Sequence, residues 1–440
     1  MGNSTSSPQK IGLWTSTSLV IGNMIGAGVF LMPAALATYG GISLFGWLFS
    51  AAGSILLAGV FSKLSKLLPN VNGGPYAYTK RGFGDFTGFL VAWGYWISVC
   101  CANAAITVSL VGSMSVFCPL LATNSIVAVL TGLQVLWFLT WINTRGVVAS
   151  GIVQFITTVL KLAPLLFIAI GGVFFIKFAN FIPFNISGVS NFSAITATAA
   201  MTLYAFLGVE CATIPAGSVE KPEKTIPRAT MLGTLITTLV YVLGTMSVMG
   251  VIPAKDLQHS VTPFADAAVI IWGENARYWV GAGVAIAAFG ALNGWILIQG
   301  QIPYAVAKDK LFPAILGKEN KEGAPGPGII ISSVLVSVFM YMNYSKGLVD
   351  QFKFLIMLST LTTIIPYLFS AAAYIIISME SSNIKKISWA GVIIMAALAF
   401  AYSLWAMAGL GEETVYWGFI LLICGTPFYV LILWRNKKNT

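Results

Sequence analysis

Apolar runs long enough to cross a bilayer alternate with short polar connectors along almost the whole chain. A helix needs about 20 mainly apolar residues to span the hydrocarbon core. Such runs fall near 11–37, 42–61, 88–113, 124–142, 152–176, 194–218 and 229–251, and again near 279–305, 329–343, 354–378, 389–409 and 414–434. The pattern predicts an all-α membrane protein with twelve transmembrane helices and both termini on one side. The longest connectors, 69–87, 252–278 and 307–328, are too short for an inserted soluble domain. The second carries an amphipathic piece, PAKDLQHSVTPFADAAVIIW, expected to lie across the outer mouth. The first contains GGPYAYTKRGFG, which has glycines but no GK[ST] and no preceding strand. It reads as a tight re-entrant loop rather than a phosphate cradle. The first apolar run lacks a small-residue cleavage site and a following soluble domain, so it reads as a retained span.

Composition agrees. Hydrophobic residues make up 57% of the chain and charged residues 9%, with a mean hydropathy of +0.86. So few charges cannot clothe a soluble protein of this length. The net charge of +10 comes from 24 Lys+Arg against 14 Asp+Glu. Eighteen of the basic residues fall in the tails and connectors on the terminal side and five on the opposite side, with Lys161 inside a span. That bias puts both termini in the cytoplasm of a cell inner (plasma) membrane, and it explains the charge without nucleic acid. The five cysteines lack zinc or disulfide spacing. The only histidine, His259, sits in a connector. No metal, cofactor or catalytic constellation is expected, so the chain does not read as an enzyme. A channel would show charge rings or a filter repeat, and neither is visible.

Two spans carry interruptions. The first reads IGNMIGAGVFLMP, with Gly22, Gly26, Gly28 and Pro33, and the sixth reads MTLYAFLGVECATIP, with Gly208 and Pro215. Glycine weakens a helix and proline removes a donor, so both spans are predicted to unwind near mid-membrane, facing protein or an aqueous cavity. The exposed half-helix N-termini offer N–H groups to a carboxylate, and free carbonyls offer acceptors to an ammonium. This suits an α-amino acid head group. Close helix packing is the structural alternative for such glycines. The sixth span crosses opposite to the first, which suggests an inverted repeat of 11–177 and 194–378, followed by two additional helices over 389–434. The symmetry rests on position, because no residue-level repeat is visible. Such an arrangement is the signature of an alternating-access transporter.

Only two ionisable side chains lie deep in the spans, Glu210 and Lys161. An unpaired charge at mid-membrane costs at least about 2.5 kcal/mol. Glu210 therefore reads as a gating or coupling group, with a structural hydrogen bond as the alternative. Lys161 sits too deep to snorkel, and pairing with Glu210 is its structural alternative. Trp295, flanked by Asn293, Gly294 and Gln299, and Tyr204, just before the Gly208 break, are candidates for a pocket. A ring face attracts a cation by about 0.5–2 kcal/mol, whereas interfacial packing claims most membrane tryptophans.

The strings GNMIGAGVF, GGPYAYTKRGFG, YAFLGVE with VEKPEKTIPRA, and NGWILIQGQ resemble the amino acid–polyamine–organocation (APC) transporters over nearly the whole chain. The resemblance is closest to the basic amino acid/polyamine antiporters, including arginine/agmatine and ornithine/putrescine exchangers. It implies twelve helices in a 5+5 inverted repeat with helices 1 and 6 broken, and often a homodimer. Through it, Gly26, Ala27 and Gly28 would bind a substrate carboxylate, Asn23, one turn earlier, would help shape the site, and Gly208 would be among the substrate-binding positions. Tyr204 matches a gating tryptophan of the arginine/agmatine exchangers, and Trp295 matches its partner. Tyr95 and Asn103 match a gate tyrosine and a polar site residue, and Ser359 a substrate-contacting serine. Glu210 matches a glutamate of the inner gate. Lys161 departs from the arginine exchangers and resembles a lysine of sodium-independent branches, whose ammonium stands in for a sodium ion and bridges span 5 to the unwound part of span 1. Ala27 in place of a serine and Tyr204 in place of a tryptophan weaken the match to arginine itself. The expectation is a secondary active exchanger of cationic amino acids and/or their decarboxylated amines, with a neutral amino acid exchanger or proton-coupled symporter as the alternative. Its partners would be the small-molecule substrate, membrane lipid and a second copy of itself.

Overall fold

Backbone N–H and C=O groups facing lipid have no water to bond, so a chain in this setting must satisfy them within helices. The computed structural model describes residues 10–26, 28–260, 262–342, 348–380, 388–409 and 412–438. These residues are helical throughout, apart from turns, connectors and one isolated parallel bridge between Ile11 and Val219. Ten helical stretches among them are long and apolar enough to cross a membrane.

The first apolar run is split into α1 (Leu13–Met24) and α2 (Gly28–Ala37). There follow α3 (Ser43–Leu67), α4 (Pro75–Met114), the short α5 (Leu120–Thr123), α6 (Ser125–Thr144), α7 (Val147–Val173) and α8 (Asn191–Leu203). After a non-α stretch come α9 (Pro222–Val251), the short α10 (Ala254–Leu257) and α11 (Pro263–Trp272), and then α12 (Ala276–Lys308). The chain closes with α13 (Gly326–Met342), α14 (Leu348–Met379), α15 (Trp389–Ala408), α16 (Glu412–Ile423) and α17 (Thr426–Lys438).

Some boundaries differ from the sequence pattern, each for a local reason. The glycine-rich connector at 69–87 is largely helical, because Pro75 takes the first position of α4, where its missing N–H costs nothing, and the helix kinks only at Gly84 (φ 83°, ψ 179°). The final run is divided at a Cys424–Gly425 turn, just before Pro427, which cannot donate back to the preceding turn.

Two groups of helices pack around the first break. In one, α3 lies on α8 and α9, and α1 lies on α9; in the other, α4 lies on α12 and α14. Helix α7 touches α1, α9 and α12. Its faces are inverted relative to a helix in water: Ser150, Gln154, Thr157, Thr158 and Lys161 are buried, while Ile152, Phe155, Ile156, Val159 and Leu160 are exposed. Lipid as solvent explains this, since apolar side chains lose nothing by facing it and polar ones must find protein partners. Gly22 allows α1 and α7 to approach closely, because a Cβ there would fall 1.6 Å from Gln154 Nε2. The amphipathic piece of the 252–278 connector forms α11, whose buried Phe264 meets Phe30 of α2 edge-on at 5.3 Å between ring centroids.

Candidate functional site

The last four carbonyls of an α-helix have no partner within the helix. At the end of α1 the chain leaves helical geometry at Ile25 (φ −79°, ψ 87°), and the carbonyls from Gly22 to Ile25 are exposed in a region without bulk water. Each is met from another helix. Lys161 Nζ donates to Gly22 O at 2.7 Å and to Ile25 O at 2.6 Å. Trp295 Nε1 donates to Asn23 O at 3.1 Å. The Tyr241 hydroxyl, from α9, lies 2.7 Å from Met24 O and 3.0 Å from Ala205 O. The acceptors that the sequence pattern leaves free for a ligand are thus engaged by α7, α12 and α9. Lys161 is fully buried and gives its ammonium to the backbone of α1; it forms no ion pair with Glu210.

The second break follows α8. Tyr204–Phe206 tighten into a 3-10 turn, Leu207 is extended (φ −63°, ψ 132°), and Gly208 takes φ +111°. That φ lies in the region only glycine enters readily. A Cβ at Gly208 would also sit 3.2 Å from Asn23 Cβ and 3.3 Å from Met24 N. The two breaks therefore touch.

Glu210 lies two residues beyond and is fully buried. Its Oε1 accepts from the Tyr95 hydroxyl of α4 and its Oε2 from the Tyr367 hydroxyl of α14. The Tyr367 hydroxyl in turn accepts from Gly208 N at 3.2 Å. Two O–H donors, one for each oxygen, offset the burial of this carboxyl group and fasten the second break to α4 and α14.

A cavity of about 40 Å³ lies beside both breaks. Of the residues singled out from sequence, Asn23, Gly26, Tyr204, Trp295 and Ser359 line it. Gly28 opens α2, and Gly208 turns the second break without lining the cavity. Tyr95 points to Glu210 instead, and Asn103 Nδ2 donates to Gln299 Oε1 at 2.7 Å. Ala27 lies outside the described residues. Asn23 is buried, yet its Oδ1 and Nδ2 both lack a hydrogen-bond partner. Its Oδ1 lies against Gly294 of α12, where a Cβ would fall 1.9 Å from it.

Four participants escape a reading of the sequence. Tyr241 and Tyr367 are single tyrosines within apolar runs, with no charge or glycine to mark them. Ser98 and Thr363 line the cavity but look like the hydroxyl residues that bond their own helix elsewhere in the chain. Among the described residues no group of three or more His, Cys, Asp or Glu side chains is arranged to hold a metal ion.

A family model described as amino acid permease matches residues 11–431. The chain is 32% identical to the cadaverine/lysine antiporter of Escherichia coli K12 over 99% of its own length and 98% of that protein. It is 31% identical to the putrescine transporter PotE of Haemophilus influenzae, covering 97% and 98% of the two chains. With the arginine/ornithine antiporter of Pseudomonas aeruginosa it shares 30% identity over 92% and 87%.

Proposed function

The chain belongs to the amino acid permease family, within the APC superfamily, and we propose that it is a secondary active exchanger of cationic amino acids and their decarboxylated amines. The observation that carries this reading is the meeting of two helix breaks beside one buried cavity. Half-helix ends at mid-membrane are the usual means of holding a small zwitterion or amine where no water is available. The relatives named as exchanging cadaverine and lysine or arginine and ornithine, and as carrying putrescine, supply the substrate class.

In this reading the chain crosses the membrane twelve times: ten long apolar stretches, two of them interrupted at Gly208 and at Cys424–Gly425, the broken α1–α2 pair and the 17-residue α13. Residues 11–177 and 194–378 form the inverted halves, with a break in the first helix of each, and 389–434 supply the two additional helices. The bias of basic connectors keeps both termini in the cytoplasm of the inner membrane. A pair of chains forms a homodimer.

Gly26, Ala27 and Gly28, at the N-terminal end of α2, receive the substrate carboxylate, with Asn23 and Gly208 shaping the floor. Tyr204 and Trp295 present ring faces to the cation, and Ser359 completes the polar contacts, while Asn103 stands behind the wall on Gln299. Glu210, held by Tyr95 and Tyr367, gates the path beyond the cavity, since opening there must part the second break from α4 and α14. The Lys161 ammonium supplies a fixed positive charge at the first break and makes a sodium ion unnecessary.

Neutral amino acid exchange is the second reading. It is favoured by the absence of any carboxylate among the described residues lining the cavity. Counterflow in proteoliposomes separates the two. Internal lysine, ornithine, putrescine or cadaverine should accelerate uptake of labelled ornithine. Acceleration by neutral amino acids alone would reject the cationic reading.

A further inference from the structure

Behind the cavity three carboxamides lie end to end: Asn143 near the end of α6, Asn293 in α12 and Gln154 in α7. All three are fully buried. Asn143 Nδ2 donates to Asn293 Oδ1 at 3.1 Å. Asn293 Nδ2 donates to Gln154 Oε1 at 3.2 Å, and Gln154 Nε2 donates to Ser18 O of α1 at 3.4 Å. Four helices are joined in this row, which ends one turn before the Gly22 carbonyl that accepts from Lys161.

A carboxamide has nearly the same shape either way round, so the direction of such a row must be fixed by other groups. Here each nitrogen faces a backbone carbonyl, which can only accept. Asn143 Nδ2 lies 2.9 Å from Leu139 O, and Asn293 Nδ2 lies 3.0 Å from Ser150 O. For Gln154 Nε2 that carbonyl is Ser18 O. Turning any of the three would set oxygen against oxygen. The row therefore has one direction, and Asn293 is its centre: it accepts from α6 and donates twice to α7.

The next two residues of α12 reach the first break. Gly294 lies flat against α1, since a Cβ there would fall 1.9 Å from Asn23 Oδ1 and 3.0 Å from Gln154 Oε1. Trp295 lines the cavity, and its Nε1 donates to Asn23 O. Successive residues of an α-helix are turned by about 100°, so these three meet different neighbours and any rotation of α12 moves them all together. Glycine lets α12 come close to α1 but brings no side chain to hold it there. Gly290, one turn earlier, is the same kind of notch, with Thr157 Oγ1 2.4 Å from where a Cβ would sit. The rotation of α12 at this level is held instead by the Asn293 amide.

We propose that Asn293, held between Asn143 and Gln154, is a positioning residue for Trp295: it sets the face that the indole presents to substrate, and so the affinity, without touching substrate. None of the three amides lines the cavity. The proposal rests on the exchanger reading above, in which Trp295 faces the substrate cation, and deepens it by naming what holds that ring.

The test is the half-saturating concentration for uptake of labelled ornithine into ornithine-loaded proteoliposomes. Asn293→Ala and Gln154→Met should each raise it by about tenfold, the scale of one buried polar group left without its partner, while the maximal rate per reconstituted protein stays close to wild type. General loosening of the fold would instead lower the maximal rate and leave the half-saturating concentration in place. Trp295→Leu should raise that concentration as well. Asn293→Ala added to Trp295→Leu should raise it no further, because the ring it positions is gone. An unchanged value in both amide variants, or in Trp295→Leu, overturns the assignment. So does a double variant whose rise is the product of the two single ones. In each of these cases the wild type still exchanges ornithine and the exchanger reading stands. If the wild type does not exchange ornithine at all, that reading falls and the positioning role with it.

Discussion

Replacing Lys161 by methionine keeps most of the side-chain stem and removes the ammonium that the carbonyls of Gly22 and Ile25 accept from at 2.7 and 2.6 Å. A buried carbonyl without a donor costs about 1–3 kcal/mol, so the two together burden the open end of α1 by about 2–6 kcal/mol. The substitution also removes the cost of burying a charge, which works in the opposite direction. The two effects act on different equilibria. Relief of the buried charge favours the folded protein in every arrangement, whereas the orphaned carbonyls penalise only arrangements in which α1 is open at Ile25. Function and stability should therefore separate. At the lower end, 2 kcal/mol shrinks the population with an open break by about 30-fold. The exchange rate in proteoliposomes, corrected for reconstituted protein, should fall at least that far, while the thermal unfolding midpoint changes little. Wild-type exchange should be the same in sodium and in choline buffer. Exchange by Lys161→Met within threefold of wild type would refute the reasoning, because the carbonyls would then need no donor.

Tyr241→Phe leaves the ring packing with Trp47 and Phe206, at centroid distances of 5.2 and 5.6 Å, but deletes the hydroxyl that joins Met24 O to Ala205 O. Loss of about 1–3 kcal/mol at this point should cut exchange turnover by about tenfold, read as the maximal rate of labelled uptake. Gly208→Ala forces a Cβ onto φ +111° and against Asn23. A strain of about 1–3 kcal/mol should slow exchange by about 5- to 150-fold while the purified protein still elutes as a single species. Glu210→Gln keeps one acceptor oxygen for two tyrosine hydroxyls and removes the titratable group. Exchange should slow and lose its dependence on pH, and a pH profile superimposable on that of wild type would remove the coupling role.

Much of this arrangement was legible because membranes punish exceptions. Gly26 and Gly28 in one run and Gly208 and Pro215 in another are poor helix residues at mid-span, and both runs break there, although α2 continues through Pro33. Glu210 and Lys161 stood out as the only deep charges, and each makes hydrogen bonds at a break. Their partners were harder to read. Lys161 bonds to backbone carbonyls, which every residue carries, and the partner helix is more than 130 residues away in sequence. Tyr241 reaches Met24 across a separation of 217 residues, and Tyr367 reaches Glu210 across 157. No local pattern encodes such pairings. The resemblance to known transporters marked Tyr95 and Asn103, but it could not say that one turns to Glu210 and the other to Gln299. The hydroxyls of Ser98 and Thr363 are unremarkable in a helix until α4 and α14 are laid side by side. The glycines of GGPYAYTKRGFG misled in one place: the 69–87 connector is helical from Pro75 onward, with a kink only at Gly84.

The inverted faces of α7 also bear on how the chain is made. A lysine at the centre of a nascent span raises its insertion cost by about 2.5–3.5 kcal/mol, and on α7 the neighbouring Gln154, Thr157 and Thr158 add to the polar load. Those groups are answered only by protein: Lys161 by the backbone of α1, and Thr158 by Ser18 O. Because α1 precedes α7 in the chain, the residues whose carbonyls accept from Lys161 are synthesised before the lysine emerges from the ribosome. The ribosome thus builds the receptor for Lys161 before it builds Lys161, and α7 can leave the translocon already paired instead of crossing into lipid alone.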